Sequence, residues 1–402
     1  MSTVIIGAGI IGVSTAYYLS KSDPSNADQV YLVEASPDLF ASASGFAGGF
    51  LAEDWFSPSL SNLGKLSFRL HKELAQAHNG HELWGYSQST GTSLAEETVE
   101  SNGGSGADWL REGASRAEAA KNTDPNSSHA PQWLKSKGEF DVLSSGETTA
   151  QCRRSSSSAE SPISALQIRN TATDTTESIP CDHLVIATGA WSSQVLSTLF
   201  PESKYRLPVT SLAGHSLVLR TPHWPPKPLD QTDPVAHGPA DSTTTTTNGR
   251  EKTAARHPCH AVFTTEAASG TGEAYSPELF SRMPNGEVYL AGLNSATYPL
   301  PRVANERRID EASIATLKKT AKRLLGDDVE VVRESVCWRP VTRRGTPFVG
   351  GLEGKMGALG KGVYVAAGHG AWGISLSLGT GWCVARMVGG GDAGEWVGRL
   401  GV

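Results

Sequence analysis

The hydrophobic positions near the start of the chain form two short runs separated by a helical pattern. Thr3 to Ile6 and Val30 to Val33 have the length and composition of buried strands. Between them, Gly12 to Ser20 has the spacing of a helix, with small residues that permit close packing. The pattern predicts a strand, a helix and a strand in succession, which is the βαβ unit of a parallel sheet.

Later apolar patterns predict further helices and strands. From Pro58 to His78, leucines at helical spacing indicate an amphipathic helix with its apolar face in the core. A second helix is predicted from Glu306 to Gly326, which Gly326 would end, and a last helix from Gly373 to Val388. Strands are predicted at His183 to Ala187, Ser216 to Leu219, Glu287 to Gly292 after a hairpin turn at Pro284 to Gly286, Val329 to Arg333, and Gly362 to Ala366.

Two stretches lack any apolar periodicity. Residues 100–131 are rich in Gly, Ser, Asn, Ala and charge, and residues 222–257 are rich in Pro and Thr. Segments of this composition bury too little apolar surface to fold, so we predict disordered insertions near 100–131 and 222–257. The 402 residues exceed the usual range of a single domain, so two domains are expected.

Net charge, cysteine spacing and the lengths of the apolar runs indicate which partners and which compartment to expect. The formal charge is −6, from 35 basic and 41 acidic residues without long blocks of either sign, which argues against nucleic acid and anionic lipid. The cysteines are scattered and form no CxxC pair, so we expect no metal site and a reducing compartment. The apolar N-terminus lacks basic residues, and no stretch has the roughly 18 to 20 apolar residues that span a bilayer. We therefore expect a cytoplasmic protein with no membrane span.

A GxGxxG motif lies between the first strand and the first helix, and an acidic residue ends the second strand. Such a turn brings the backbone close to a pyrophosphate at the positive end of the helix. The acid can accept both ribose hydroxyls of an adenosine and would repel a 2′-phosphate. The motif predicts a dinucleotide site without separating NAD from FAD, and a Gly-rich turn of an unrelated α/β protein stays open. The candidate residues are Gly7, Gly9, Ile10, Ile11, Gly12 and Glu34.

Four later segments carry related motifs. Residues 42–52 form a loop of small residues, and 184–192 read as a strand that ends in Ala-Thr-Gly. Residues 337–350 contain Cys-Trp-Arg-Pro followed by Gly-Thr-Pro-Phe-Val-Gly, and 363–381 contain Gly-His-Gly before a Gly-rich helix start. In this order the segments resemble the D-amino-acid oxidase family, which includes glycine oxidase and sarcosine oxidase. With the N-terminal turn, the resemblance spans nearly the whole chain.

The resemblance implies FAD as the cofactor and an α/β fold, in which a Rossmann-like FAD-binding domain is interleaved with an α+β substrate domain containing a mixed or antiparallel sheet. It assigns residues 1–60, 150–215 and 335–402 to the FAD-binding domain, and residues 61–149 and 216–334 to the substrate domain. A helix starting near Gly373 would direct its N–H groups and positive dipole at the reduced flavin. Further implied cofactor contacts are Ser42, Ser44, Gly48, Gly49, Leu51, Thr188, Gly189, Trp191, Gly370, Gly373, Ile374 and Ser375.

The resemblance also implies oxidation of the C–N bond of an amino acid or secondary amine, by hydride transfer to flavin N5, with oxygen as acceptor and hydrogen peroxide as product. Arg339 would bind the substrate carboxylate, because a guanidinium pairs both oxygens, with a structural salt bridge as the alternative. His369 would be a proton relay and Trp372 a pocket wall, or both would have packing roles. Cys337 stands where sarcosine oxidase-like relatives attach the flavin covalently, and an inert buried thiol is the other interpretation.

The chain departs from the family pattern after Gln151. Relatives continue with a His-Pro pair, a helix and a strand that leads to the adenine, whereas here Cys152-Arg153-Arg154 and a run of serines follow. Loss of that piece could weaken FAD binding or expose a sheet edge. This departure favours one alternative, a catalytically weakened scaffold acting in assembly or trafficking. A flavoprotein dehydrogenase with another electron acceptor also stays open. An NAD-linked reductase is disfavoured, because a nicotinamide enzyme does not need the C-terminal Gly-rich helix start.

Overall fold

The computed structural model describes residues 2–95, 133–134, 139–144, 149–151, 165–170, 175–224, 259–264, 275–283 and 285–401. The insertion predicted near 100–131 lies outside these ranges. So does the insertion predicted near 222–257, from residue 225 onwards. Residues 152–164, where the chain departs from the family pattern, also lie outside these ranges.

The described residues form seventeen strands and eight α-helices. The strands are β1 (Thr3–Ile6), β2 (Val30–Val33), β3 (Phe50–Ala52), β4 (Ser87–Ala95), β5 (Glu139–Ser144), β6 (Thr149–Gln151), β7 (Ala165–Asn170), β8 (Thr175–Ile179), β9 (His183–Ile186), β10 (Thr210–Arg220), β11 (Cys259–Thr264), β12 (Glu278–Arg282), β13 (Glu287–Ala291), β14 (Asn294–Ser295), β15 (Glu330–Val341), β16 (Phe348–Gly351) and β17 (Val363–Ala367). The helices are α1 (Ile10–Ser22), α2 (Ser61–Ala77), α3 (Gly80–Trp84), α4 (Ser192–Leu199), α5 (Glu311–Leu325), α6 (Glu353–Met356), α7 (Ser377–Val388) and α8 (Gly394–Val397).

The first sheet contains the predicted βαβ unit. Its strands, among the described residues, follow the order β16, β17, β9, β1 and β2. β1 pairs in parallel with β2 and with β9, β17 pairs in parallel with β9, and β16 is antiparallel to β17. Val4 and Ile5 of β1, an inner strand, are completely buried, because helices or loops cover both faces. The carboxyl ends of four parallel strands therefore meet at one edge, where ligands bind in sheets of this type.

The second sheet is mostly antiparallel and has ten strands within the described residues. β13, β12 and β11 form a meander, and β10 pairs with β13, β14 and β15. Alternation along β13 separates the two faces: Val288 and Leu290 pack against α5 in an apolar core, whereas Tyr289 between them points to the opposite face. The combination of a parallel and an antiparallel sheet confirms the predicted mixed α/β class.

Two element boundaries differ from the sequence predictions. The helix predicted from Glu306 begins at Glu311, because Asp310 caps it by accepting the N–H of Ser313 at 2.8 Å. The strand predicted at Val329 to Arg333 extends from Glu330 to Val341, since β10 offers it a partner along its whole length. The predicted domain boundary after residue 215 falls inside β10, and the boundary after residue 334 falls inside β15. The predicted division of the chain into two domains stays a proposal.

Among the described residues, no helix combines the length and apolar character needed to cross a bilayer.

Candidate functional site

A cleft separates the carboxyl ends of the parallel strands from one face of the second sheet. The N-terminal glycine turn and the C-terminal turn after β17 both line it, although they are far apart in the chain. The two turns are therefore brought together at one site, as a single extended nucleotide requires. The predicted residues that line the cleft are Gly7, Gly9, Ile10, Ile11, Glu34, Ser42, Ser44, Gly48, Gly49, Thr188, Gly189, Trp191, Arg339, His369, Gly370, Gly373 and Ile374.

The glycine turn is fixed by close backbone approach. Gly7 has a φ of +103°, and a Cβ there would lie 2.6 Å from the carbonyl oxygen of Ala187. A Cβ at Gly12 would lie 1.9 Å from the carbonyl oxygen of Gly7, so Gly12 seats the helix against the strand and does not line the cleft. The first bond within α1 runs from Val13 N–H to Gly9 O at 3.0 Å. The N–H groups of Ile11 and Gly12, in the first turn, have no helical acceptor and can serve an anion.

Glu34 is held at the end of β2 by backbone donors. Its Oε2 accepts the N–H of Ala8 at 2.7 Å, and its Oε1 accepts the N–H of Ser36 at 3.0 Å. Each carboxylate oxygen can accept a further hydrogen bond. Glu34 lines the cleft, so this arrangement is compatible with binding the ribose hydroxyls of an adenosine.

The small-residue loop from 42 to 49 is hydrogen-bonded to helix α1 and to the second sheet. Ser44 Oγ accepts the N–H of Ile10 at 2.9 Å, which joins the loop to the first turn of α1. Arg282 donates to the carbonyls of Ala47 at 2.7 Å and Gly48 at 3.1 and 3.2 Å. These contacts hold the loop against the cleft from the side of β12.

Tyr289 supports the same loop. Its hydroxyl donates to Phe46 O at 2.9 Å, and the guanidinium of Arg282 lies 4.8 Å from its ring centroid. Burial raises the pKa of Tyr289, so the phenol stays protonated and remains a donor. Sequence reasoning gives Tyr289 no role and misses Arg282. The only available signal is strand alternation, which places Phe280 and Arg282 on one face of β12.

The C-terminal turn differs from the prediction, because α7 begins at Ser377 and not near Gly373. Ile374 O accepts hydrogen bonds from His71 Nε2–H at 3.0 Å and from Ser377 N–H, three residues on, at 3.2 Å. The N–H of Gly379, in the first turn of α7, donates to Ser67 Oγ at 3.0 Å. The cleft is therefore lined by the turn at residues 370–374, and the start of α7 lies outside its lining.

His369 lines the cleft as a buried neutral imidazole. Its Nε2 lies 3.1 Å from Thr380 Oγ1, and its Nδ1 has no partner among the described residues. Burial lowers the pKa of His369 to about 3. The imidazole is therefore neutral near neutral pH and offers one donor and one acceptor nitrogen. Its role as a proton relay stays a prediction.

Three other predicted residues lie behind the cleft wall. Trp372 packs on Phe56 with ring centroids 5.0 Å apart, so the expected pocket wall is a core side chain. Leu51 is completely buried in a small apolar cluster. Ser375 Oγ accepts the N–H of Ala52 at 3.0 Å and donates to its carbonyl at 3.2 Å, which joins β3 to the C-terminal turn.

Arg339 projects from β15 onto the cleft face of the second sheet. Its Nη1 donates to Asn294 Oδ1, and a Cβ at Gly214 would lie 1.9 Å from the same nitrogen. None of the ion pairs found among the described residues involves Arg339. The structural salt bridge considered as its alternative role is therefore not seen in the described part of the chain.

Polar groups in the cleft wall suit a polar ligand. Trp338 and His369 are almost completely buried and line the cleft, yet neither Trp338 Nε1 nor His369 Nδ1 has a partner among the described residues. Buried polar atoms are normally hydrogen-bonded, so a bound molecule with polar edges would satisfy them. FAD has such edges, and the residues present fit it. Cys337 also lines the cleft, where burial raises the pKa of its thiol and keeps it neutral.

Comparison with known proteins agrees with this geometry. The model of the DAO family, described as FAD dependent oxidoreductase, matches residues 2–387. A Schizosaccharomyces pombe protein named "Putative oxidoreductase C1F5.03c" is 27% identical over 415 residues, which cover 96% of this chain and 93% of that protein. The Saccharomyces cerevisiae protein named "Putative oxidoreductase TDA3" is 39% identical over 99 residues, covering 24% of this chain and 18% of that protein.

Solved structures share the fold. Iminodiacetate oxidase from Chelativorans sp. BNC1 superposes with a TM-score of 0.64 at 16% identity, covering 99% of this chain and 98% of that one. Glycine oxidase from Geobacillus kaustophilus gives a TM-score of 0.64 at 19% identity, covering 100% and 97%. L-proline dehydrogenase from P. horikoshii gives 0.60 at 13% identity, covering 98% and 95%. Because the family match extends over nearly the whole chain, this protein belongs to the DAO family of FAD-dependent oxidoreductases, and its cofactor is FAD.

Proposed function

We propose that this flavoprotein oxidises the C–N bond of a small amino acid or secondary amine that carries a carboxylate. The observation that supports this most directly is Arg339, a cleft-lining guanidinium whose partner in the described structure is a neutral amide. Such a group suits a carboxylate, which it can bind through two parallel hydrogen bonds. The named structural neighbours act on glycine, iminodiacetate and L-proline, all of which are amino carboxylates.

Aromatic side chains line the same cleft as Arg339. Phe280 and Tyr289 stack with ring centroids 5.9 Å apart on the cleft face of the second sheet. Phe46 lies beside them in the loop that Tyr289 and Arg282 hold. An apolar wall of this kind excludes water from the reacting carbon and favours small or apolar side chains.

The proposed chemistry needs little acid or base catalysis from the protein. FAD, when bound, supplies an acceptor for the hydride that leaves the substrate carbon. A substrate amine that binds in its neutral form loses no proton in that step, and His369 is neutral at physiological pH. Arg339 would orient the carboxylate, and thereby the carbon, toward the cofactor end of the cleft. Oxygen is the proposed final acceptor, so amine and oxygen yield imine and hydrogen peroxide.

The test uses the purified holoprotein. Glycine, sarcosine, iminodiacetate, proline and a series of D- and L-amino acids would be added without oxygen, and loss of the visible flavin absorption recorded. We expect bleaching with a subset of these compounds, and peroxide formation when oxygen is admitted. Bleaching that persists in oxygen would identify a dehydrogenase with a different acceptor, and a spectrum unchanged by every compound would refute the proposed substrate class.

Arg339→Leu provides the control on the site. It should raise KM for a carboxylated substrate strongly, while the bound FAD per chain stays the same. An unchanged KM would remove Arg339 from substrate binding.

A further inference from the structure

The guanidinium of Arg339 lies over Gly214 and against Asn294. Arg339 lies opposite Leu212 in the β15 and β10 pair, and its side chain turns along the sheet toward Gly214. On the other side of β10, Asn294 lies directly opposite Gly214 and accepts a hydrogen bond from Arg339 Nη1. Any side chain at Gly214 would collide with that nitrogen, which a Cβ would approach to 1.9 Å. Glycine and asparagine together therefore define where the guanidinium rests.

The hydrogen-bond partner of Arg339 is a neutral amide, so the positive charge of the guanidinium is not balanced by this contact. An aspartate has nearly the same shape as an asparagine and would accept the same hydrogen bond, but it would also neutralise the guanidinium. The amide of Asn294 fixes the direction of Arg339 and leaves its positive charge available to another anion. Among the ion pairs of the described residues, none satisfies Arg339 from elsewhere.

We propose that Asn294 is a positioning residue that holds Arg339 over Gly214 as an uncompensated cation, and that this arrangement makes the cleft selective for carboxylated substrates over neutral amines. The inference rests on the proposed function, because it assigns the substrate carboxylate to Arg339. It adds that the selectivity depends on the neutrality of residue 294 and on the absence of a side chain at residue 214.

Asn294→Asp separates this role from a purely structural one. If Asn294 only stabilises the sheet, an aspartate beside Arg339 forms an ion pair and should be tolerated without functional loss. If Asn294 keeps Arg339 available, the same change should weaken carboxylate binding by at least about tenfold, since an internal carboxylate then competes with the ligand. Ser295→Asp is the matched control, because it adds the same charge one residue along β14, on the opposite face of the sheet.

The measurement is the dissociation constant of acetate for the holoprotein, followed through the change in the flavin spectrum. Asn294→Asp should bind acetate at least tenfold more weakly, with unchanged FAD content, whereas Ser295→Asp should bind acetate as the wild type does. For a turned-over substrate, KM should rise by a similar factor with kcat changed less than about twofold. Wild-type affinity for acetate in Asn294→Asp would overturn the proposal.

Gly214→Ala gives an independent test if Asn294→Asp fails to fold. Gly214→Ala leaves the charge of Arg339 unchanged but displaces its guanidinium, so acetate should bind more weakly. In an Arg339→Leu background, Gly214→Ala should not weaken acetate binding further. An equal loss of acetate affinity in the wild-type and Arg339→Leu backgrounds would overturn the proposal. Acetate binding does not depend on turnover, so a wild-type protein that binds acetate but oxidises no amine would refute the proposed function and leave this inference standing. Turnover of amines without any acetate binding would refute the inference alone.

Discussion

Arg282 offers a direct test of how the cofactor loop is held. The side chain is 8% exposed and makes three hydrogen bonds to the carbonyls of Ala47 and Gly48. Tyr289, under the same guanidinium, adds a fourth bond to the loop through Phe46 O. Arg282→Met removes the three charged donors and keeps most of the apolar stem. The loop should then leave its bound position in a fraction of the molecules.

The size of the effect follows from the number and kind of bonds. A hydrogen bond with a charged partner contributes about 1.5 to 3 kcal/mol, but three bonds from one guanidinium are not additive. We therefore expect Arg282→Met to reduce the free energy that holds the loop in place by about 3 kcal/mol. If loop order is needed for FAD binding, this corresponds to about a hundredfold rise in the dissociation constant of FAD. Tyr289→Phe removes one neutral bond, worth about 1 kcal/mol, and should raise that constant about fivefold.

The assay is titration of apoprotein with FAD, followed by the quenching of flavin fluorescence. Arg220→Met is the matched control, because Arg220 is an exposed arginine on the same sheet and makes no contact with the loop. Circular dichroism of each apoprotein would establish that it is folded. An Arg282→Met protein that is folded and binds FAD with the wild-type constant would refute the idea that this contact orders the loop.

Two further predictions concern the C-terminal turn. Ser67→Ala removes the acceptor of the Gly379 N–H and should lower the free energy of unfolding by about 1 to 2 kcal/mol in denaturant titrations. Ser59→Ala should have little effect, because the half-buried Ser59 bonds, among the described residues, only to the exposed Ser57 hydroxyl. Burial lowers the pKa of His71 to about 4, although its bond to Ile374 O opposes the shift. The unfolded chain then binds the proton more readily, so stability should fall as pH drops from about 6.5 toward 4, by roughly 1 kcal/mol per pH unit. His71→Gln should remove this contribution to the pH dependence of the free energy of unfolding. An unchanged pH dependence would show that His71 is not its source.

Local patterns predicted the elements that have a strong period of their own. The βαβ unit, the amphipathic helix α2 and the hairpin of β12 and β13 were all visible as apolar spacing interrupted by glycine. The start of α7 was not, because Gly373 and the residues after it have helical spacing in the sequence. In the structure, the carbonyl of Ile374 accepts a hydrogen bond from His71, more than 300 positions away in the chain. Such a contact leaves no trace in a local window.

The candidate site shows the same division. The glycines at 7 and 12 could be predicted because turn geometry and helix packing restrict those positions to residues without a side chain. The sequence left Trp372 as either a pocket wall or a core side chain, because its place in the loop before the last helix does not fix where its ring points. In the structure the ring packs on Phe56 in the core. Neither Arg282 nor Asn294 lies in a motif, so nothing local distinguished them from other polar strand residues.

The sequence by itself determined that this chain builds a dinucleotide turn and belongs with FAD-dependent oxidoreductases, because those features depend on short-range sterics and on motifs that keep their order along the chain. The tertiary structure alone decided which polar groups meet in the cleft. Arg339 meets Asn294, and Arg282 meets the loop at Ala47, through pairing between strands and loops far apart in sequence. Strand register brings these side chains together, and register is set by the packing of whole sheets, which no single segment encodes.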